Sequence, residues 1–159
     1  MVSCVFPGSF DPVTVGHLNL IARASAMFDR VTVTLMVNKS KTGRIPFEVR
    51  EKLLRKVCGA FGNVTVDTWD GLLADYMKTR KEKTVIRGLR DASEFDREYG
   101  SFCANRFLNG ETETLFIPCD PAYTGVSSSA VREIASFGGD ISSFVPEEVR
   151  EEIAAWLSK

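Results

Sequence analysis

Hydrophobic and polar positions change period repeatedly along this chain, and each change predicts a passage from strand to helix or back. Val2 to Phe6 is an apolar run read as a buried strand, and Leu18, Ile21, Ala22 and Phe28 then recur at helical spacing from about His17. Val31-Thr32-Val33-Thr34-Leu35-Met36-Val37 is β-branched and mostly apolar, hence a second strand. A helix from Phe47 carries Val49, Leu53, Leu54, Val57 and Cys58 on one face, and Gly59 and Gly62 close it. Val64 to Thr68 predicts a third strand and Leu72 to Lys78 a short helix. Thr84-Val85-Ile86 predicts a fourth strand, ending in Arg87-Gly88-Leu89-Arg90. A long helix from about Ser93 puts Phe95, Tyr99, Phe102, Cys103 and Phe107 on its expected buried side. Glu113 to Pro118 is a fifth strand, Tyr123 to Ser129 leads into a helix that Gly138-Gly139 terminates, and Pro146 opens the last helix.

Strands alternating with helices in this way predict an α/β fold: a Rossmann-like, doubly wound, five-stranded parallel sheet in a single domain over residues 1–159. In such sheets ligands bind beyond the carboxyl ends of the strands, where the strand order reverses. The loop from Gly8, Lys41, Arg87 with Arg90, and the serines at 127–129 all follow predicted strands, so they are expected at that rim.

Composition narrows the classes. With 159 residues, 44% of them hydrophobic and 26% charged, the chain can bury a sizeable core. A net charge of -1 argues against a general nucleic-acid binder. No apolar run approaches the roughly 18 residues of a membrane span, and Met1 leads into a strand without a signal-peptide pattern, so no membrane partner and a cytoplasmic location are expected. Cys4, Cys58, Cys103 and Cys119 show no Cys-x-x-Cys spacing and are expected as buried thiols. A single histidine and dispersed cysteines argue against a structural zinc site, and no metal-ligating residues are assigned. Gly-x-x-x-x-Gly-Lys-Ser/Thr, Gly-x-Gly-x-x-Gly and Gly-x-Ser-x-Gly are absent, which argues against a P-loop, a dinucleotide fold and a hydrolase elbow.

The chemistry gathers in three places. Phe6-Pro7-Gly8-Ser9-Phe10-Asp11-Pro12-Val13-Thr14-Val15-Gly16-His17 leaves the first strand for the first helix. Gly8 and Gly16 let the backbone approach a ligand, Ser9 and Thr14 supply hydroxyls, and His17 lies near the unpaired N–H groups of a helix start, an anion site. Arg87 and Arg90 offer planar forks suited to phosphate, or else pair with Asp91, Glu94 or Asp96. Ser127-Ser128-Ser129 could present hydroxyls and helix N–H groups to a triphosphate, or act as an N-cap; Arg132 reaches the same anion or pairs with a surface acid. Lys39 and Lys41 lie in a basic loop, with Lys41 the better candidate. Glu98 is by default a salt-bridge residue, and Trp69 and Phe102 are core.

Gly8-Ser9-Phe10-Asp11-Pro12 with Gly16-His17, then Arg87-Gly88-Leu89-Arg90, then Ser127-Ser128-Ser129, resemble the bacterial phosphopantetheine adenylyltransferases from end to end. The resemblance implies reversible transfer of AMP from ATP to 4′-phosphopantetheine, giving dephospho-coenzyme A and pyrophosphate; the nearest rival is a related transferase that adenylylates another phosphorylated acceptor, such as nicotinamide mononucleotide, or uses CTP. It implies that His17 stabilises the transition state, with Ser9 and the backbone of Phe10 beside it. It also assigns Ser9, Lys41, Leu73 and Arg87 to the acceptor side. Gly88, Leu89, Arg90, Glu98 and the segment Tyr123, Thr124, Gly125, Val126, Ser127, Ser128 and Ser129 fall to the ATP side. Magnesium arriving with ATP, feedback by coenzyme A and a homohexamer are further implications. Ser9 stands where the family commonly has threonine, and Val15 where it has a polar residue.

Overall fold

Period-two alternation of side chains builds the sheet in the computed structural model, which describes residues 1–37 and 43–158. Along β1 (Ser3–Gly8), Cys4 and Phe6 join one core while Val5 joins another on the opposite face. In β4 (Thr84–Leu89), Ile86 and Val85 divide in the same way. β2 (Arg30–Met36) pairs in parallel with β1, and β3 (Val64–Trp69) with β2. On the other side, β4 pairs with β1 through Val5 opposite Val85, and β5 (Glu113–Pro118) pairs with β4. The strand order is therefore β3-β2-β1-β4-β5, reversing direction between β1 and β4.

Helices cover both faces. α1 (Val15–Met27), α2 (Phe47–Cys58), α5 (Ser128–Ser136) and α6 (Arg150–Leu157) bury their apolar faces in the larger core, through residues such as Ile21, Leu54, Val131 and Ile153. α3 (Leu73–Arg80) sets Tyr76 and Met77 on Val5 and Val85, with Trp69 and Leu73 at the edge, and α4 (Ala92–Leu108) packs beside α3 over β4 and β5. Gly88 lets α1 lie close to β4, since a Cβ there would come within 3.0 Å of Leu20 Cδ2. Among the described residues, no helix is long and apolar enough to cross a membrane.

Several local expectations are corrected. α1 begins at Val15 rather than His17, because the Thr14 hydroxyl caps it; Leu20, Ile21 and Ala24 are its buried residues, and Leu18 and Phe28 pack partly buried against the same core. β4 extends through Arg87, Gly88 and Leu89 because these residues pair with Phe116, Ile117 and Pro118 of β5. Pro146 precedes a single 3-10 turn, Glu147–Val149, before α6.

The largest correction concerns α4. Its aromatic stripe is not buried: Phe95 is 41% exposed, Tyr99 49% and Phe107 91%, and Cys103 is exposed as well. Helical spacing says which side chains share a face, but the neighbour that covers the face must be supplied by the fold, and here β5 is the edge strand. Phe95 leans on Phe116 at 5.3 Å between ring centroids, and Phe95, Tyr99 and Phe102 continue as a ladder of rings along the surface. Phe102 and Trp69 are partly buried rather than core, and Cys119 is half-buried; Cys4 and Cys58 are buried as expected.

Candidate active site

The first loop is held by its own packing. Phe10 adopts a left-handed φ of 42°, a conformation costing roughly 1–3 kcal/mol for such a residue. It is retained because the ring is buried edge-on between Phe6, at 5.5 Å, and His17, at 5.0 Å. A Cβ on Gly8 would come within 3.0 Å of that ring. Asp11, which sequence reasoning passed over, anchors the loop: its carboxylate accepts the N–H groups of Arg44 and Ile45, each at 2.9 Å, and its carbonyl accepts from Arg132. Arg132 is thus engaged by Asp11 and by Ser129 rather than by a surface acid.

His17 is the third residue of α1 and closes a capping box with Thr14. Its own N–H donates to Thr14 Oγ1 at 3.3 Å, and its Nδ1 accepts from the Thr14 N–H at 3.1 Å. A main-chain N–H can only donate, so this contact assigns the proton of the neutral ring to Nε2, and the Thr14 hydroxyl, 3.0 Å from Nδ1, then donates to the same nitrogen. Burial first, and then the charges of Arg90 and Arg87, lower the imidazole pKa to about 4. At neutral pH the ring is therefore an uncharged donor bordering the cleft.

Arg87 and Arg90 are each held by one carboxylate and one carbonyl. Arg87 donates through Nε and Nη2 to Glu98, both at 2.7 Å, and through Nη1 to the Pro7 carbonyl at 2.8 Å. Arg90 donates through Nε and Nη2 to Glu94 and through Nη1 to the Val126 carbonyl at 3.3 Å. The salt-bridge alternative and the cleft-facing alternative thus hold together, since both guanidiniums also line the cleft. The Ser127 hydroxyl caps α5 by accepting from the Ala130 N–H, Ser128 donates to the Pro12 carbonyl at 2.8 Å, and Ser129 accepts from Arg132. The serines bind α5 to the first loop, and all three border the cleft.

Two adjoining cavities, each of about 320 Å³, open here. The first lies between α1 and the start of α5, bordered by Phe10, His17, Gly88, Arg90 and residues 126–129. The second runs between β1 and α4 past Leu73, Phe102 and Asn105. Ser9, Arg87 and Glu98 border both, so the Arg87–Glu98 pair stands where the cavities meet. Leu89, Tyr123, Thr124 and Gly125 border neither, although the Tyr123 Cβ lies 3.9 Å from where a Cβ of Gly16 would be. Lys39 and Lys41 lie outside the described residues. Asn19, Arg23 and Cys119 also border the first cavity and were not anticipated. The first two follow Gly16 at helical spacing, three and seven residues on, and so were legible as its face of α1; Cys119 had no such signal.

The arrangement makes a direct prediction. An NMR titration of His17 in the folded chain should give a midpoint near 4 instead of the ordinary 6.5, with the Nε2–H tautomer above it. Since the unfolded chain takes up this proton near pH 6.5 and the folded chain does not until about 4, the group costs stability as pH falls through that window and nothing above it. A midpoint near 6.5 would contradict the half-buried, cation-flanked setting.

Comparison with known proteins agrees with this geometry. The profile of the cytidylyltransferase-like family matches residues 5–134. A phosphopantetheine adenylyltransferase from Streptomyces coelicolor is 46% identical over 157 residues, spanning 99% of this chain and 98% of that protein. One from Clostridium perfringens is 42% identical over 154 residues, spanning 97% and 94%. The solved structure of a nicotinic acid mononucleotide adenylyltransferase from Plasmodium falciparum, complexed with NaAD, superposes with a TM-score of 0.68 over 98% of this chain and 94% of that one. At 14% identity it shares the fold. The reversed strand order, the capped histidine and the level of identity place the chain in the cytidylyltransferase-like nucleotidyltransferases, and within them in the phosphopantetheine adenylyltransferase family.

Proposed function

We propose that the chain transfers the adenylyl group of MgATP reversibly to 4′-phosphopantetheine, giving dephospho-coenzyme A and pyrophosphate, the penultimate step of coenzyme A synthesis. The observation that carries this reading is the meeting of two cavities at Arg87, with His17 bordering the first of them. ATP occupies the cavity under the start of α5, near Gly88, Arg90 and Ser127 to Ser129. The acceptor lies along Leu73, with its phosphate toward Arg87 and Ser9. A phosphate monoester is already nucleophilic at neutral pH, so attack on the α-phosphorus needs alignment and charge stabilisation rather than a general base. Neutral His17 supplies that stabilisation by donating from Nε2 to an oxygen of the α-phosphate, a bond that strengthens as charge develops.

Magnesium belongs to the incoming triphosphate in this reading. The cleft carboxylates of Glu94 and Glu98 are already engaged by arginines, and the described residues contain no cluster of metal-ligating side chains. Coenzyme A, which shares its chemistry with the product, would span both cavities as a feedback ligand. A homohexamer would cover the exposed ring ladder of α4, an apolar strip of the kind that contacts between subunits bury. Free thiols at Cys4, Cys58, Cys103 and Cys119 fit a reducing, cytoplasmic setting. Nicotinamide mononucleotide is the rival acceptor; a structural likeness at 14% identity speaks for a common fold, while relatives 42–46% identical favour the pantetheine acceptor.

Pyrophosphate release from MgATP, followed with a panel of phosphorylated acceptors, tests the assignment. It should depend on 4′-phosphopantetheine; release driven by nicotinamide mononucleotide and not by phosphopantetheine would overturn it. His17→Ala should lower kcat by about 10²–10³-fold while leaving the dissociation constant for ATP within about threefold. Loss of ATP affinity with kcat unchanged would instead make His17 a ground-state ligand.

A further inference from the structure

The two arginines at the end of β4 are not equally placed, and the difference lies in Glu94. Glu98 meets Arg87 with one carboxylate oxygen on Nε and the other on Nη2. Glu94 instead gives Oε1 to both Nε and Nη2 of Arg90, while its Oε2 accepts the main-chain N–H of Arg90 at 2.8 Å. One carboxylate therefore fixes both the side chain and the backbone of Arg90 at the corner where β4 turns into α4. Glu94 is itself held: its N–H donates to Asp91 Oδ1 at 2.9 Å, the N-cap of α4. Its side chain is 13% exposed, so this is no solvated surface pair. Burial would raise the Glu94 pKa, but hydrogen bonds from the side chain and backbone of Arg90 outweigh it and hold the carboxyl below its usual range. The Arg90 guanidinium is correspondingly raised, chiefly by its hydrogen bonds to Glu94.

We infer that Glu94 is the positioning residue of the nucleotide cavity: it holds the side edge of Arg90, so that the outer edge of that guanidinium is presented to the phosphates of ATP. The second fixed point is the Val126 carbonyl, which accepts from Nη1 immediately before the serine-rich start of α5. Glu94 and Val126 thereby align Arg90 with the N–H groups of α5 across the same cavity. A guanidinium held by one fork keeps its remaining N–H groups for a ligand and loses little rotamer freedom when the ligand arrives. Glu94 borders the first cavity and not the second, so its effect is confined to the nucleotide. Glu98, at the junction, has no such selectivity.

This inference rests on the assignment of the first cavity to ATP, and calorimetry separates the two. ATP binding is measured on the full chain for wild type, Glu94→Ala, Arg90→Ala and the double variant, with melting temperature as a fold check; the Michaelis constants for ATP and acceptor are measured alongside. Glu94→Ala should raise the ATP dissociation constant about tenfold, leave the acceptor Michaelis constant within about twofold, and add less than about twofold once Arg90 is already alanine. Glu94→Gln, which keeps an acceptor oxygen for the guanidinium, should fall between wild type and Glu94→Ala even if the alanine variant folds poorly. An unchanged ATP constant in both Glu94 variants, an equal rise for ATP and acceptor, or a full tenfold effect without Arg90 would each overturn the positioning role. Wild-type chain that binds ATP but transfers nothing to phosphopantetheine would sink the proposed reaction and leave the Glu94–Arg90 coupling to be judged from the same calorimetry. Wild-type chain that does not bind ATP would sink both.

Discussion

The hydrogen bond from the Thr14 main-chain N–H to Nδ1 of His17 governs what this cleft can do. It fixes the ring orientation and tautomer together, and the setting keeps the ring uncharged until about pH 4. A positively charged imidazole beside Arg87 and Arg90 would bind anions more strongly in the ground state. In the proposed reaction, a neutral donor would add its contribution where charge grows, at the reacting phosphorus. Phe10 takes part through its ring, which packs against His17 and Phe6 and holds a left-handed turn in the loop between them.

The sheet determines where that donor can be used. Reversal of strand order between β1 and β4 opens a crevice at their carboxyl ends, and the starts of α1 and α5 converge on it. Arg87 and Arg90 reach the same crevice from the last residues of β4 and beyond it, and Asp11 ties the first loop to the residues preceding α2. α4 serves two functions at once. Glu94 and Glu98 point inward and orient the arginines, while Phe95 and Tyr99 lie about half exposed and Phe107 almost fully exposed on the outer side.

Much of this was legible in the sequence, for reasons that also explain what was not. Order and type of the elements follow from local period, so β5 and α2 fall at their expected residues. The arginines and serines were recognisable because each sits at the carboxyl end of a strand or at a helix start. Burial of the α4 stripe was misjudged because period is a property of one helix, whereas cover is a property of its neighbours. Asp11 was missed because its partners at Arg44 and Ile45 are distant in sequence. Glu94 appeared as one of several carboxylates able to neutralise Arg90; only coordinates distinguish a carboxylate that neutralises an arginine from one that aims it. Thr14 was noted for its hydroxyl, yet its backbone N–H sets the state of the ring.

In the proposed reaction two bound anions react directly, held in line by fixed donors, with no side chain taking the adenylyl group. The most direct measurement is the stereochemical course at phosphorus, using ATP with sulfur in one configuration at the α-phosphate and determining the configuration of the thiophosphate product. Inversion is the result of a single in-line displacement and is what this geometry predicts. Retention would require two displacements through an adenylylated protein group and would contradict it.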